Sequence, residues 1–245
     1  LMSLLVNQNP IFGLDSLPFL ATGFDDAFRL YQAQKPVLER ILDKRGVKLL
    51  YAVAWPPQGI YAKKELRSAA DMKGLKWRAY NPATSKIAQS VGAQPMTIQA
   101  AELSQALATG VVDSTMTSGA TGVDSKIWES LTHYHTVNAW LPKNMLVVNR
   151  KDFDRLDKTT QATVVRLAAE AEKKGWERMR AYNEESIATL AKNRMTIVTP
   201  TPQLMADMKK IGDEMVADWL KQAGADGKEI LDAYAKSAPR AAAKK

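Results

Sequence analysis

Apolar residues along the chain fall into short β-rich runs separated by segments of helical spacing. Residues 25–45 place Phe28, Tyr31 and Leu38 on one side of a helix, with Pro36 as a possible kink or break. The polar turn Asp43-Lys44-Arg45-Gly46 then leads into VKLLYAVA, residues 47–54, which reads as a buried strand. A strand over 75–80 precedes a helix over 82–91, where Pro82 suits the first turn and Gly92 the stop. Another strand over 94–98 runs into a helix over 100–109 that ends at Gly110, and a third strand follows over 111–115.

That alternation is the β-α-β-α-β rhythm of a mostly parallel sheet covered by helices. Ligands in such sheets sit beyond the carboxyl ends of the strands, which nominates residues 78–82, 97–100 and 114–122. Two further apolar strands are expected over 133–140 and 145–149, separated by Pro142.

The longest periodic segment runs over 159–193, with Val164, Ala168, Ala171, Gly175, Met179, Tyr182 and Ser186 on one continuous face. Asp157 suits its N-cap, and Glu170 with Lys174 forms a supporting i,i+4 pair. A helix of this size extends about 50 Å, more than one lobe needs, and suits a strut shared by two lobes. A short strand over 195–199, helices over 202–222 and 226–238, and a frayed tail over 239–245 complete the chain.

Composition changes this picture little. The 245 residues are 46% hydrophobic and 24% charged, enough for one large domain or two smaller lobes. No stretch approaches the roughly 18 to 20 uninterrupted apolar residues that span a bilayer. The absence of cysteine excludes a disulfide framework, a thiolate metal site and a cysteine nucleophile. The net charge of +8 is spread over single and paired residues (Lys63-Lys64, Lys173-Lys174, Lys209-Lys210), which describes a solvated basic surface rather than a nucleic-acid footprint. The chain opens at Leu1 without an initiator methionine and reads as the interior of a longer protein with its leader upstream.

Three stretches in order carry a family resemblance: Asp71-Met-Lys-Gly-Leu-Lys-Trp-Arg78, Gly92-Ala-Gln-Pro95, and the segment from Ala100 to Asp113 ending Ala-Thr-Gly-Val-Val-Asp. With Asn149-Arg-Lys-Asp-Phe-Asp-Arg-Leu156 and Ile11-Phe-Gly-Leu-Asp-Ser-Leu-Pro18, they resemble the substrate-binding subunits of tripartite, ATP-independent periplasmic (TRAP) transporters, the DctP or family 7 solute-binding proteins. The resemblance implies an α/β, two-lobed fold of the periplasmic-binding-protein kind, with a long helix spanning both lobes. It implies residues 1–54 plus 143–182 as lobe I, incomplete for want of an upstream β-α-β unit, and 55–142 plus 183–245 as lobe II. It also implies a periplasmic, monomeric receptor that needs no cofactor and passes a small carboxylate to TRAP membrane subunits.

Arg78 is the leading site residue. It ends a strand where an α/β crevice opens, and a guanidinium can hold a carboxylate through two parallel hydrogen bonds. The resemblance gives the arginine at this position that role. A second basic position of some family members falls here on Gln58, a neutral residue, within Trp55-Pro-Pro-Gln-Gly59. Trp55 and Gln58 are lining candidates. Tyr80 and Asn81 follow the arginine and could reach the same carboxylate, or else serve as strand-end packing and a helix cap.

Where the family carries Glu-Asn-Pro, this chain has Met116-Thr-Ser-Gly119, so Thr117 and Ser118 offer hydroxyls to a ligand or a cap to a helix. Trp140 and Asn144 lie where the chain should cross back between lobes. His133 and His135 would face one side of a strand, but no third metal ligand is near, and the pair reads as solvated or internally satisfied. A metal-dependent enzyme built on them is the alternative of a different class. No nucleophile elbow, phosphate loop or H-E-x-x-H motif is present, so the expectation is a binding protein. The preferred ligand is an aryl or apolar 2-oxo or 2-hydroxy monocarboxylate, with small aliphatic oxo acids or C4-dicarboxylates as the alternative.

Overall fold

A computed structural model describes residues 1–238 and contains two sheets. In the smaller one, β1 (Val47–Ala54) pairs antiparallel with β7 (Lys143–Asn149), from Val47 opposite Asn149 to Ala54 opposite Lys143. The larger sheet runs β4-β3-β5-β2-β6-β8. Its parallel part is β3 (Lys76–Ala79) flanked by β4 (Gln94–Thr97) and β5 (Ser114–Ser118). β2 (Gln58–Ala62) joins antiparallel between β5 and β6 (His133–His135), and β8 (Thr196–Val198) runs parallel to β6 at the edge.

The helices keep to the expected periodicity. α1 (Phe24–Asp43) buries Ala27, Leu30, Tyr31, Gln34, Val37, Leu38 and Ile41, and it continues through Pro36 without a break. An internal proline costs roughly 3 kcal/mol. Burial on both sides of Pro36, with Gln34 Nε2 donating to the Ile11 carbonyl at 2.8 Å, offsets that penalty. Phe28 lies at the margin of the face, 38% exposed and edge-on to Trp176.

α2 (Pro82–Ser90) and α3 (Leu103–Ala108, after a 3-10 turn at Ala100–Glu102) connect the parallel strands. The left-handed residues Gly92 (φ +71°) and Gly110 (φ +70°) end these two helical segments. α4 (Gly119–Asp124) and α5 (Arg150–Arg155) are short.

α6 (Lys158–Lys192) packs on β1 and then on α4 and β8, touching both sheets as the strut expectation requires. Asp157 caps it, accepting from the Thr160 N–H at 2.9 Å. Glu170 pairs with Arg166 at 2.7 Å rather than with Lys174. Gly175 sits so close to β1 that a Cβ would lie 2.6 Å from Val53 Cγ2. The next residue, Trp176, donates Nε1 to the Ala52 carbonyl at 2.9 Å, and buried Glu172, one turn earlier, accepts from Tyr31 Oη and the Ala52 N–H.

α7 (Pro202–Lys236) is one helical run broken at Gly224, whose φ of +56° divides the two expected helices. It packs on α1 and on the Pro10–Ser16 turn, with Trp219 Nε1 donating to the Pro10 carbonyl at 2.7 Å. Residues 239–245, expected as a frayed tail, lie outside the described residues.

Three strand expectations need correction. β2 was not expected at all, and β5 begins three residues later than the apolar run over 111–115 suggests. Every residue of both strands is buried, so neither shows a two-residue alternation. The strand expected over 133–140 stops at His135, because Asn138 turns into the left-handed region at φ +48°.

The chain crosses between the sheets in two extended connectors, residues 55–57 and 136–142. They are laced together: the Trp55 N–H donates to the Pro142 carbonyl at 2.7 Å, and Gln58 exchanges bonds with Trp140 and Ala139 at 2.9 Å each.

Candidate functional site: a cleft over the crossing strands

The carboxyl ends of β3, β4 and β5 point toward these connectors and leave a cleft of about 600 Å³ between them, within the usual range for small-molecule sites. Arg78 and Tyr80 enter from β3, Gln99, Ala100, Ala101 and Ser104 from the segment after β4, and Thr117, Ser118, Thr121, Asp124 and Ser125 from β5 and α4. The opposite rim is Trp55, Gln58, Pro142 and Asn144, with Leu1 and Leu4 beside it.

Arg78 is 3% exposed, yet it has no acidic partner among the described residues. Its Nε donates to the Ile98 carbonyl at 2.9 Å, and its guanidinium carbon lies 5.2 Å from the centre of the Tyr80 ring. The two terminal nitrogens make no hydrogen bond to described protein atoms and are not sealed from solvent, so they open onto the cleft. Burial lowers this guanidinium from its ordinary value to about 10, which leaves it charged at neutral pH. A charged, buried donor pair without a counter-ion has the chemistry to hold a carboxylate through two parallel hydrogen bonds.

Tyr80 Oη donates to Gln58 Oε1 at 3.0 Å, and Gln58 Nε2 donates to the Pro56 carbonyl at 3.0 Å. Burial raises the Tyr80 phenol well above its usual range, so it remains a neutral donor. The Thr117 hydroxyl, the Trp55 indole N–H and the Asn144 amide make no hydrogen bond to described residues and are available to a ligand. Ser118 acts as the N-cap of α4, accepting from the Thr121 N–H at 3.1 Å, while still lining the cleft.

Seven of the nine expected site residues thus line one cleft: Arg78, Gln58, Trp55, Tyr80, Thr117, Ser118 and Asn144. Asn81 and Trp140 do not. Asn81 caps α2 by accepting from the Thr84 N–H at 2.9 Å, and its amide donates to Ser3 and Ser16 Oγ at 3.2 Å, which consumes the side chain. Trp140 is 1% exposed in the core beneath the connector. His135 is equally occupied: Nε2 accepts from the Leu66 N–H at 2.8 Å and Nδ1 meets the Ile60 carbonyl at 3.1 Å. His133 Nδ1 lies 2.8 Å from Thr132 Oγ1.

Ser104, Asp124 and Ser125 escaped sequence reasoning. Ser104 is the second residue of α3, and Asp124 and Ser125 end and cap α4, a six-residue helix too short to register as a periodic pattern. Thr121, Gln99 and Ala100 fall within the strand-end ranges nominated from the sequence.

Two sheets joined by extended crossings, with an arginine-bearing cleft over the crossing and a long helix packed on both, define a two-lobed solute-binding protein. The model of the bacterial extracellular solute-binding proteins, family 7 (DctP), matches residues 2–222, and the chain belongs to this family. It is 52% identical to DctP6 of Bordetella pertussis, an extracytoplasmic solute receptor binding pyroglutamic acid, with a TM-score of 0.94 over 97% of this chain and 79% of that one. DctP7 of the same organism, also binding pyroglutamic acid, is 44% identical, with a TM-score of 0.93 over 96% of this chain and 78% of that one. A marine metagenome TRAP solute-binding protein specific for pyroglutamate is 40% identical, with a TM-score of 0.92 over 96% of this chain and 77% of that one. The chain spans 50% to 63% of the length of the curated relatives it matches, among them a solute-binding protein of Albidiferax ferrireducens. The family is one of extracellular solute-binding proteins, and DctP6 and DctP7 are extracytoplasmic solute receptors, not enzymes.

Proposed function

We propose that this chain is the receptor part of a TRAP transporter that captures pyroglutamate, or a closely related cyclic monocarboxylate, and delivers it as a monomer to the membrane subunits. The observation that carries this reading is Arg78, whose terminal nitrogens open into the cleft without an acidic partner. Arg78 takes the ligand carboxylate, and the free Thr117 hydroxyl, Trp55 indole and Asn144 amide offer partners to a lactam across the cleft. Three receptors at 40% to 52% identity that bind pyroglutamate favour this acid over the aryl body expected from the tryptophans.

Capture proceeds by closure about the connectors 55–57 and 136–142, because a ligand touching both rims binds the closed form better. In this reading residues 1–54 and 143–182 form one lobe, with α7 packed against it through α1. Residues 55–142 and 183–201, which include β8 of the larger sheet, form the other, so of the 183–245 expected there the segment from α7 onward departs.

The test is calorimetric titration with L-pyroglutamate, phenylpyruvate and succinate, alongside Arg78→Ala. Micromolar or tighter binding of pyroglutamate alone is expected, with loss of at least 2 kcal/mol, roughly 30-fold, in the variant. Preference for phenylpyruvate would restore the aryl reading, and preference for succinate the dicarboxylate reading. Undiminished affinity in Arg78→Ala would remove the clamp.

A further inference from the structure

We propose that Gln58 and Tyr80 are positioning residues for the Arg78 guanidinium, tying its orientation to the strand that crosses between the sheets. The proposal rests on the reading of Arg78 as the carboxylate clamp.

Arg78 and Tyr80 are two residues apart at the end of β3, so their side chains project to the same face. The Tyr80 ring lies beside the guanidinium, 5.2 Å from centroid to Cζ, within cation–π reach. The ring is itself held at its far end, where Oη donates to Gln58 Oε1 at 3.0 Å. Gln58 cannot turn its amide over: Nε2 donates to the Pro56 carbonyl at 3.0 Å, and a carbonyl can only accept.

The backbone of Gln58 is fixed as firmly, donating to the Trp140 carbonyl and accepting from the Ala139 N–H at 2.9 Å each. The edge of the guanidinium opposite its terminal nitrogens is pinned by the Ile98 carbonyl, 2.9 Å from Nε. The planar group is therefore flanked by the ring and held at Nε, and only the two nitrogens that a carboxylate would use make no hydrogen bond to described residues.

The series Pro56–Gln58–Tyr80–Arg78 begins in the first connector and ends at the clamp. A displacement of the crossing strand alters where Gln58 holds the Tyr80 hydroxyl, and so alters the platform under the guanidinium. This arrangement assigns the buried amide of Gln58, 2% exposed, a task other than touching the ligand. A direct contact and a positioning role make opposite statements about Tyr80→Phe. That variant keeps the ring and its bulk and removes only the bond to Gln58.

The experiment compares the whole chain with Tyr80→Phe, Gln58→Leu and the double variant. It reads hydrogen exchange and ¹⁵N relaxation of the Arg78 Nε–H by NMR, assigned with Arg78→Lys, together with affinity for L-pyroglutamate. Both single variants should speed Nε–H exchange and weaken binding by about 2- to 12-fold, the worth of one net hydrogen bond. The double variant should add little, since either change breaks the same series.

Unaltered exchange in Tyr80→Phe would overturn the proposal, as would ligand loss confined to Gln58→Leu. Because exchange is measured without ligand, it tests the positioning even if the parent protein fails to bind pyroglutamate. That failure would instead count against the proposed ligand alone.

Discussion

Asp15 and Lys143 form an ion pair in which both side chains are 1% exposed, and cutting it in three different ways should give three different answers. Lys143 Nζ lies 3.5 Å from Asp15 Oδ2, and the Lys143 backbone N–H donates to the same oxygen at 2.6 Å. Asp15 Oδ1 has no partner. Burial raises the Asp15 carboxyl and lowers the Lys143 ammonium, the attraction between them acting against both shifts. Removing one member of such a pair strands the other and costs about 3–5 kcal/mol, whereas replacing both is often neutral or stabilising.

The backbone bond adds a condition. A variant lacking any acceptor at position 15 also strands the Lys143 N–H, for about 1–3 kcal/mol more. Asp15→Asn keeps an amide oxygen there and isolates the charge effect. Asp15→Asn alone should therefore lower stability by about 3–5 kcal/mol, roughly 6–20 °C in Tm for a chain of this size. Asp15→Asn/Lys143→Met should return to within about 1 kcal/mol of the parent. Lys143→Met alone leaves a buried carboxyl whose folded pKa stands above the unfolded 3.8. Its stability should be fullest below 3.8 and fall as pH rises through the folded value. Urea unfolding followed by both circular dichroism and tryptophan fluorescence gives the three values. The reasoning is refuted if Asp15→Asn is neutral, or if the double variant is as unstable as the two singles summed.

Three other perturbations follow from the structure. Burial lowers the His135 imidazole below its ordinary 6.5. Its stabilising contribution should thus be complete above that pH and decline as pH falls toward the folded value, a slope in urea stability that His135→Gln should flatten. Gly59→Ala would set a Cβ 2.6 Å from the His135 carbonyl oxygen and 2.3 Å from the Tyr134 ring. It should cost about 1–3 kcal/mol by thermal melting, or more, since the carbonyl is backbone and cannot turn away. At Gly224 a Cβ meets nothing within 4 Å, but φ is +56°. With ψ at −134° as well, the backbone lies outside the left-handed helical region and is essentially confined to glycine, so Gly224→Ala should lose about 1–3 kcal/mol from backbone strain alone, a Tm change of about 2–12 °C.

What could be read from the sequence depended on whether one face of an element meets solvent. α1, α6 and α7 each expose one side, so their apolar stripes stand out, and Gly92, Gly110 and Gly224 mark the stops and the break because each holds a positive φ. β2 and β5 are buried on both faces, and the sequence STMTS of β5 carries hydroxyls where a strand usually carries Val or Ile. Local pattern gives no signal there.

At the site, Arg78 could be located because a strand, Asn81 and Pro82 fix where the crevice opens. Trp140 and Asn81 were grouped with it because an indole or an amide near a cleft serves equally well as wall, core or cap. Only the tertiary contacts separate these uses. Glu172 shows the same ambiguity in reverse: its spacing on α6 resembles a solvated glutamate, yet it is the group that bonds both Tyr31 and β1.

The charge distribution around the cleft bears on ligand choice more directly than the net +8 does. Of the side chains lining it, Arg78 alone is cationic and Asp124 alone is anionic. A monocarboxylate docked on Arg78 leaves the rest of the ligand among Thr117, Ser118, Ser104 and the Trp55 indole, all neutral. A second carboxylate placed there would surrender its hydration without meeting a counter-ion, an effective penalty of several kcal/mol once the lobes close. It would also approach Asp124 rather than another cation. A lactam meets the same groups as a neutral donor and acceptor, which hydroxyls, an indole N–H and the Asn144 amide can satisfy. The neutral Gln58, locked to Tyr80 at 3.0 Å, keeps that side of the cleft uncharged as well. On the proposed reading, discrimination between mono- and dianions would come from the lack of a second cation in the cleft lining, and it should strengthen as closure removes water from around the ligand.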